Sequence, residues 1–335
     1  MMRIEAYGVQ LELSSGCLEL LESIRRDFSF FVKGNATGTA DIHIQAELAP
    51  PPWDSTPDAR CVMIQPHCVV YDHAGERWVD YQGRGLGRWR VAEDRAELWS
   101  EDFDLLYEIT YLIILSRLGE RHDTLGLHRV HALGLAVAGQ GILCLLPSGG
   151  GKTTLGLGAM RLPGVSLLSD DHPLLDTRGY LRAFPNRLGL VGPAPADIDP
   201  RYVRQFSRRD HGDKTLVDVE VFGERVGGEV PLGGILLGSR RLSGGASITP
   251  LARVGVVPEL LRSVVVGVGL PQVVEYFLRF DVADYVHKAY LVASRTRACV
   301  RGLAHSRVLR FELGRDRGEN LRVFQDFLLS LTAAP

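Results

Sequence analysis

Apolar and polar positions alternate with period two in Asp41-Ile42-His43-Ile44-Gln45, the pattern of a strand with one face buried. Cys68-Val69-Val70-Tyr71 and Trp89-Arg90-Val91 read as two more short strands. Pro50-Pro51-Pro52 opens an exposed loop, and Gly83, Gly85 and Gly87 mark a tight turn between strands. Residues 1–100 are therefore expected to form a smaller β-rich N-terminal domain. Beyond it the period changes. Leu105, Leu106, Ile109, Leu112 and Ile113 recur at spacings of three and four, which predicts a packing helix over 102–118.

From residue 129 onward two apolar runs, 130–137 and 142–146, flank Ala138-Gly139-Gln140-Gly141, which reads as strand, glycine turn, strand. A glycine loop follows, then a short helix to about residue 161, stopped by Pro163-Gly164. Residues 165–168 form another apolar run, and Asp170-Asp171 sit at its end. Strand, loop, helix, strand is a βαβ-type unit. Residues 196–228 are expected as exposed loops and short elements. A buried strand is expected over 234–238, helices over 257–266 and 271–280, a strand over 308–313 and an amphipathic helix over 319–331. The domain 101–335 is thus expected to be α/β.

Composition narrows the function classes. A chain of 335 residues suits roughly two domains. With 45% hydrophobic and 23% charged residues it is neither disordered, collagenous nor a coiled-coil rod. A net charge of −2 argues against nucleic acid as a partner. No apolar run is long enough to span a bilayer, and the 102–118 helix carries Asp102, Asp104 and Glu108 rather than lysines, so no membrane partner is expected. The opening Met1-Met2-Arg3-Ile4-Glu5 does not read as a signal peptide. Cys17, Cys61, Cys68, Cys144 and Cys299 form no C-x-x-C, so reduced thiols and a cytoplasmic location are expected.

The densest chemical signal is Ser148-Gly149-Gly150-Gly151-Lys152-Thr153-Thr154. A polyphosphate needs many donors aimed at one point. Glycines let successive backbone N–H groups curl inward, and a helix N-terminus adds its dipole. Lys152 then reaches the β and γ phosphates and the Thr153 hydroxyl holds Mg²⁺. The strict pattern G-x-x-x-x-G-K-[ST] would place glycine where Leu146 stands. The strand before the loop and the acidic pair after it compensate, because a carboxylate at the end of the next strand is where a metal ligand belongs. A simple ATPase needs one acid there. A second acid beside the γ-phosphate can take the proton of an attacking hydroxyl, or merely cap the turn before Pro173. His131, at the start of the first strand, is a third catalytic candidate; His128 is read as incidental.

Together these residues resemble the HPr serine kinase/phosphorylase family and its relatives with the phosphoenolpyruvate carboxykinase-like P-loop fold. That family carries a His, a glycine-turn hairpin, a Ser-Gly-x-Gly-Lys-[Ser/Thr] loop and an Asp-Asp pair. Here the order is His131, Gly139-Gln140-Gly141, Ser148 to Thr153, and Asp170-Asp171. The ending Lys152-Thr153-Thr154-Leu155 is closer to the carboxykinases and to HPr-kinase-related kinases of peptide-modification gene clusters. The likeness covers about residues 129–190, fades toward 313, and is absent from 1–100. It implies that Lys152 and the loop amides bind ATP or GTP phosphates, that Thr153 and Asp170 hold Mg²⁺, that Asp171 is the general base, and that His131 assists near the transferred group. The family's Arg-Gly-[Leu/Ile]-Gly signature is only echoed by Arg187-Leu188-Gly189-Leu190, and its Gly-Arg-Asn segment has no counterpart, so the HPr protein is not the expected substrate.

The expected activity is an ATP/Mg²⁺-dependent kinase acting on a hydroxyl, whether a serine of a peptide or protein or a small molecule. The alternatives are a nucleotide-binding regulator, which Leu146 favours if its side chain narrows the loop, and a P-loop nucleotide hydrolase. Arg187 and Lys214, with Arg225 as a third option, are the candidate cations for the substrate. Oligomerisation is left open by the sequence.

Overall fold

A computed structural model describes residues 1–32, 38–208, 212–270, 273–279 and 281–332. The first region contains β1 (Met2–Ala6), β2 (Val9–Ser14), helix α1 (Leu18–Asp27), β3 (Ile42–Leu48), β4 (Arg60–Ile64), β5 (Val69–His73), β6 (Glu76–Asp80), β7 (Gly85–Arg90) and β8 (Arg95–Ser100). These strands form one sheet in the order β1-β2-β3-β8-β7-β6-β5-β4. β3 alternates as expected, with Ile42, Ile44 and Ala46 buried. The glycine turn is narrower than the sequence implies. It lies at Gln82-Gly83, both with positive φ, while Gly85 and Gly87 are inside β7. Gly87 is needed there because a Cβ would stand 2.2 Å from the Tyr276 hydroxyl.

The expected helix is α2 (Phe103–Thr124), capped by Asp102, whose carboxylate accepts from the Leu105 N–H at 3.2 Å. It packs its apolar side chains into the same core as the N-terminal sheet, and this core extends to Phe184, Phe206 and Leu216. The buried His122 of α2 hydrogen-bonds through Nε2 to the Ala6 carbonyl at 2.9 Å, and burial pushes its pKa down to about 4. Folding therefore favours its neutral form. That contribution is complete above the ordinary histidine pKa of about 6.5 and is lost as pH falls toward 4. Urea midpoints for the wild type are expected to drop across that window, and His122→Gln to flatten the drop; an equally steep drop in the variant would exclude His122 as its source.

The second sheet is built from β9 (Leu127–Arg129), β10 (Leu133–Val137), β11 (Gln140–Leu145), β12 (Val165–Ser169), β13 (Leu174–Asp176), β14 (Tyr180–Arg182), β18 (Glu229–Arg240), β19 (Ser247–Pro250) and β20 (Arg307–Leu313). Its order is β12-β10-β11-β18-β14-β13-β9, with β20 also on β18 and β19 on β20. β10 and β11 form a hairpin whose turn is Ala138-Gly139, both at positive φ. β12 pairs antiparallel with β10, so β11 and β12 run in the same direction with β10 between them. Helix α3 (Lys152–Ala159) makes the crossover. The C-terminal ends of β11 and β12 thus open at the same edge of the sheet, which is where an α/β fold binds its ligands.

Alternate residues of β11 enter two different cores, Ile142 and Cys144 on one side and Leu143 and Leu145 on the other. Helices α3 and α7 (Arg317–Thr332) cover the first side. Helix α4 (Val257–Leu260), a π-type turn over Leu261–Val266, and α6 (Val282–His305) cover the second. The remaining helix α5 (Val274–Phe277) lies against the N-terminal sheet through Tyr276. Strands β15 (Leu188–Leu190), β16 (Val203–Arg208) and β17 (Gly212–Val217) form a small third sheet.

Several expectations differ from this picture. Residues 196–228 hold short elements as expected, among them the paired strands β16 and β17, but Leu216 and Val217 are buried rather than exposed. The helix expected over 271–280 is the short α5; residues 271, 272 and 280 of that reading lie outside the described residues. Helices α1 and α6 are not among the expected elements: in α6 apolar positions are interleaved with arginines such as Arg295, buried against Asp123 at 2.5 Å, whereas the arginines of α1, Arg25 and Arg26, stand only in its last turn. Among the described residues, no helix is long and apolar enough to cross a membrane. The protein is a mixed α/β structure with several sheets.

Candidate functional site

β11 delivers the chain into a tight loop whose glycines have distinct reasons to be glycine. Gly149 and Gly151 stand at φ +69° and +103°, and Gly151 is the residue before α3. A Cβ on Gly150 would lie 2.7 Å from the Pro147 carbonyl oxygen. The loop therefore curls over the N-terminus of α3, with Lys152, Thr153 and Thr154 in its first turn.

Leu146 does not narrow this loop. Its side chain is 2% exposed and packs into the core beneath, where strand β18 makes room with Gly238, a residue whose Cβ would stand 2.2 Å from Leu146. Only its carbonyl faces the site, accepting from Lys152 Nζ at 3.1 Å. Leu146→Gly, which restores the stricter motif, is expected to lower stability by at least about 2 kcal/mol through the vacated core volume. Nucleotide affinity should stay within about twofold, as read by calorimetry; a large gain in affinity would show that the side chain obstructs the loop after all.

Ser148 through Thr154, His131, Asp170, Asp171, Arg187 and Lys214 all line one cleft of about 650 Å³. At its floor Lys152 Nζ lies 3.0 Å from His131 Nε2 and 3.4 Å from Asp171 Oδ1. An ammonium only donates, so Nε2 accepts and a neutral His131 carries its proton on Nδ1, 3.2 Å from Asp171 Oδ1. Burial lowers the His131 pKa, Asp171 opposes this, and Lys152 adds to the lowering. Thr153 Oγ1 donates to Asp170 Oδ2 at 2.7 Å.

The adjacent aspartates have opposite characters. Asp170 is buried, and burial followed by the charge of Asp171 pushes its pKa up to about 7, against Thr153, Lys152 and Lys214. Asp171 has a side chain 37% exposed to the cleft. Burial raises it too, but His172, His131 and Lys152 outweigh that and hold it below the usual carboxylate range. Asp170 Oδ1 is buried with no hydrogen-bond partner among the described residues. A cation beside Thr153 and Asp170 would satisfy that orphaned oxygen and restore the charged form, so the donor set fits Mg²⁺.

The candidate substrate cations differ in how they are held. Arg187 lies flat over Tyr111, 3.7 Å from its ring centre, and donates to Asp27 at 3.0 Å. Lys214 lies over Gly189 and acts electrostatically on Asp170. Arg225 donates to the Met160 carbonyl at 2.5 Å, at the end of α3, and is not among the residues lining the cleft. His128 is bonded to Asp123 at 2.7 Å and to Ser294 at 2.9 Å, also outside the cleft.

His172 and Arg240 are two of the lining residues that the sequence reading did not single out. His172 is buried with Nε2 3.5 Å from Asp171 Oδ2, and burial pushes its pKa down to about 4. Its adjacency to the acidic pair was a visible signal. Arg240, at the end of β18, donates to the Gly150 carbonyl at 3.2 Å. Nothing local to residue 240 announces this, because only the pairing of β18 with β11 brings it to the loop. No protein-family model and no curated protein matches the chain.

Proposed function

We propose that this chain is an ATP- or GTP-dependent, Mg²⁺-requiring kinase that transfers the γ-phosphoryl group to a hydroxyl, on a P-loop core of the phosphoenolpyruvate carboxykinase/HPr-kinase kind. One observation carries the reading: Asp171, ionised and half-exposed, stands 3.4 Å from Lys152 and 3.2 Å from His131 in the cleft that the glycine loop borders. A sensor or hydrolase needs the loop and a metal ligand. A second carboxylate held in its charged form beside the Lys152 ammonium is what proton removal from an alcohol needs.

The loop N–H groups, the α3 N-terminus and Lys152 take the triphosphate. Lys152 must then turn from His131 toward the phosphates. Thr153 and Asp170 hold Mg²⁺, which supplies charge neutralisation on the phosphates when bound. Asp171 accepts the hydroxyl proton as the acceptor oxygen bonds to the γ-phosphorus and the bond to the β–γ bridging oxygen breaks, releasing the diphosphate. His131 Nδ1 lies 3.2 Å from Asp171 Oδ1, beside the base. Arg240, bonded to the loop, and Lys214, beside Gly189, add positive charge around the transferring group. Tyr111, Leu112 and Phe206 also line the cleft, and we assign the peptide, protein or small-molecule acceptor to that surface.

Incubation with γ-labelled ATP, Mg²⁺ and a panel of peptide and small-molecule hydroxyls tests this. Label on an acceptor is the expected result. Steady phosphate release with water alone would make the protein a hydrolase. Tight nucleotide binding with neither label nor release would make it a sensor.

A further inference from the structure

The hairpin turn between β4 and β5 is closed by the Gln65 N–H donating to the Cys68 carbonyl at 2.8 Å. It presents His67 and Cys68 side by side toward α5. Cys68 is fully buried, Glu275 of α5 is 4% exposed, and the His67 side chain is 44% exposed at the rim. One ligand atom from each of His67, Cys68 and Glu275 lies within 4.8 Å of the others. We propose that these three residues form a binding site for a borderline divalent cation of the Zn²⁺ class, separate from the Mg²⁺ site of the nucleotide cleft.

The donor set selects the ion. One imidazole nitrogen, one thiolate and one carboxylate oxygen suit zinc, whereas Mg²⁺ and Ca²⁺ take oxygen ligands. Bond lengths of about 2.0–2.3 Å need the three atoms closer together than they stand, and the rim position of His67 gives it the freedom to close in. The backbone of each ligand is already fixed. The turn holds His67 and Cys68, and Arg77 donates to the Glu275 carbonyl at 3.0 Å. Gln65, whose Nε2 donates to Met63 Sδ at 2.9 Å, borders the same cavity as His67 and Glu275.

Three protein ligands leave a fourth position, and a cavity of about 440 Å³ lined by Gln65, His67 and Glu275 gives room for water there. Burial, followed by the charge of Glu275, pushes the Cys68 thiol up to about 12, and burial raises Glu275 as well. A divalent cation reverses both effects by accepting the two anions, so its affinity should rise with pH as the protons leave. The position has a structural consequence. The same cavity is bordered by Gly269 and Leu270, and Gly269 packs so closely on His131 that a Cβ would stand 2.7 Å from its ring. A bound ion would tie the β4–β5 turn to α5 at the edge of this cavity.

Titration of the full-length reduced protein with Co²⁺ in Mg²⁺-free buffer tests the site. The expected result is a sulfur-to-cobalt charge-transfer band saturating at one equivalent and displaced by Zn²⁺. Cys68→Ala should abolish the band and Cys61→Ala should keep it. His67→Ala, at the rim, should weaken Co²⁺ affinity at least as much as the roughly 10–100-fold that follows loss of an outer contact; it keeps the test open should Cys68→Ala not fold. Absence of the band in the wild type, its survival in Cys68→Ala, or unchanged affinity in His67→Ala would each overturn the assignment. Co²⁺ at Thr153 and Asp170 meets oxygen ligands only and gives no sulfur band, so this result and the fate of the kinase reading are separable.

Discussion

Asp171→Asn is expected to bind ATP and Mg²⁺ like the wild type and to lose about 10²–10⁴ of the phosphoryl-transfer rate, the usual worth of a positioned base. The amide has the size of the carboxylate but cannot take a proton. In the wild type Asp171 is held below the usual carboxylate range, with the Lys152 ammonium 3.4 Å away, so it is ionised at pH 7 without prior deprotonation. Binding should survive because Asp170 and Thr153, bonded to each other at 2.7 Å, form the metal pair on their own. The competing role for Asp171 is to cap the turn before Pro173. Asparagine caps turns equally well, so single-turnover rates near the wild-type value would remove Asp171 from the chemistry and leave it structural. Asp170→Asn should behave differently, raising the Mg²⁺ concentration needed for half-maximal activity.

The parts of this site that the sequence revealed are those written by adjacent residues. A curled loop needs glycine at each cramped or positive-φ position, so Gly149-Gly150-Gly151 stands out locally. The hairpin before it and the strand ending in Asp170-Asp171 were legible because continuous apolar runs bounded by glycine or charge are what strands buried on both faces look like. The opposite characters of the two aspartates were not legible. They depend on how deeply each is buried and on His172, Lys152 and His131, which the sheet brings together only once β12 pairs with β10. The significance of Leu146 was misjudged for the same reason. The space it occupies is provided by Gly238 on a strand that pairs from far along the chain. Helix α6 escaped because its buried arginine and its exposed valines and tyrosines blur the helical period.

Arg187 shows the limit most clearly and leads to the second large expected effect. By sequence it is an arginine in a polar loop, available to a substrate. In the folded chain its guanidinium is held from the N-terminal region: Asp27, at the end of α1 and fully buried, accepts from Arg187 at 3.0 Å, from Arg204 at 2.7 Å and from the Tyr107 hydroxyl at 2.8 Å. Arg204 also reaches Asp218 at 2.8 Å, and Arg26 reaches Asp218 from the α1 side at 2.7 Å. Asp27→Ala would leave two buried guanidinium groups facing one another across an emptied acceptor. Breaking a buried ion pair from one side costs about 3–5 kcal/mol, because the surviving charge keeps its desolvation penalty without its partner. Arg204 retains Asp218, whereas among the described residues Arg187 retains only neutral aromatic and phenolic contacts, so most of the loss falls on Arg187. Urea unfolding followed by circular dichroism should show the full drop, and Asp27→Asn a smaller one, since the amide keeps an acceptor. Arg187 lines the cleft, so under the proposed kinase reading, with Arg187 facing the acceptor, any Asp27→Ala protein that remains folded should bind nucleotide normally and take up its acceptor poorly. A midpoint unchanged in Asp27→Ala would mean that water replaces the carboxylate at no cost and that the N-terminal region does not hold Arg187 in place.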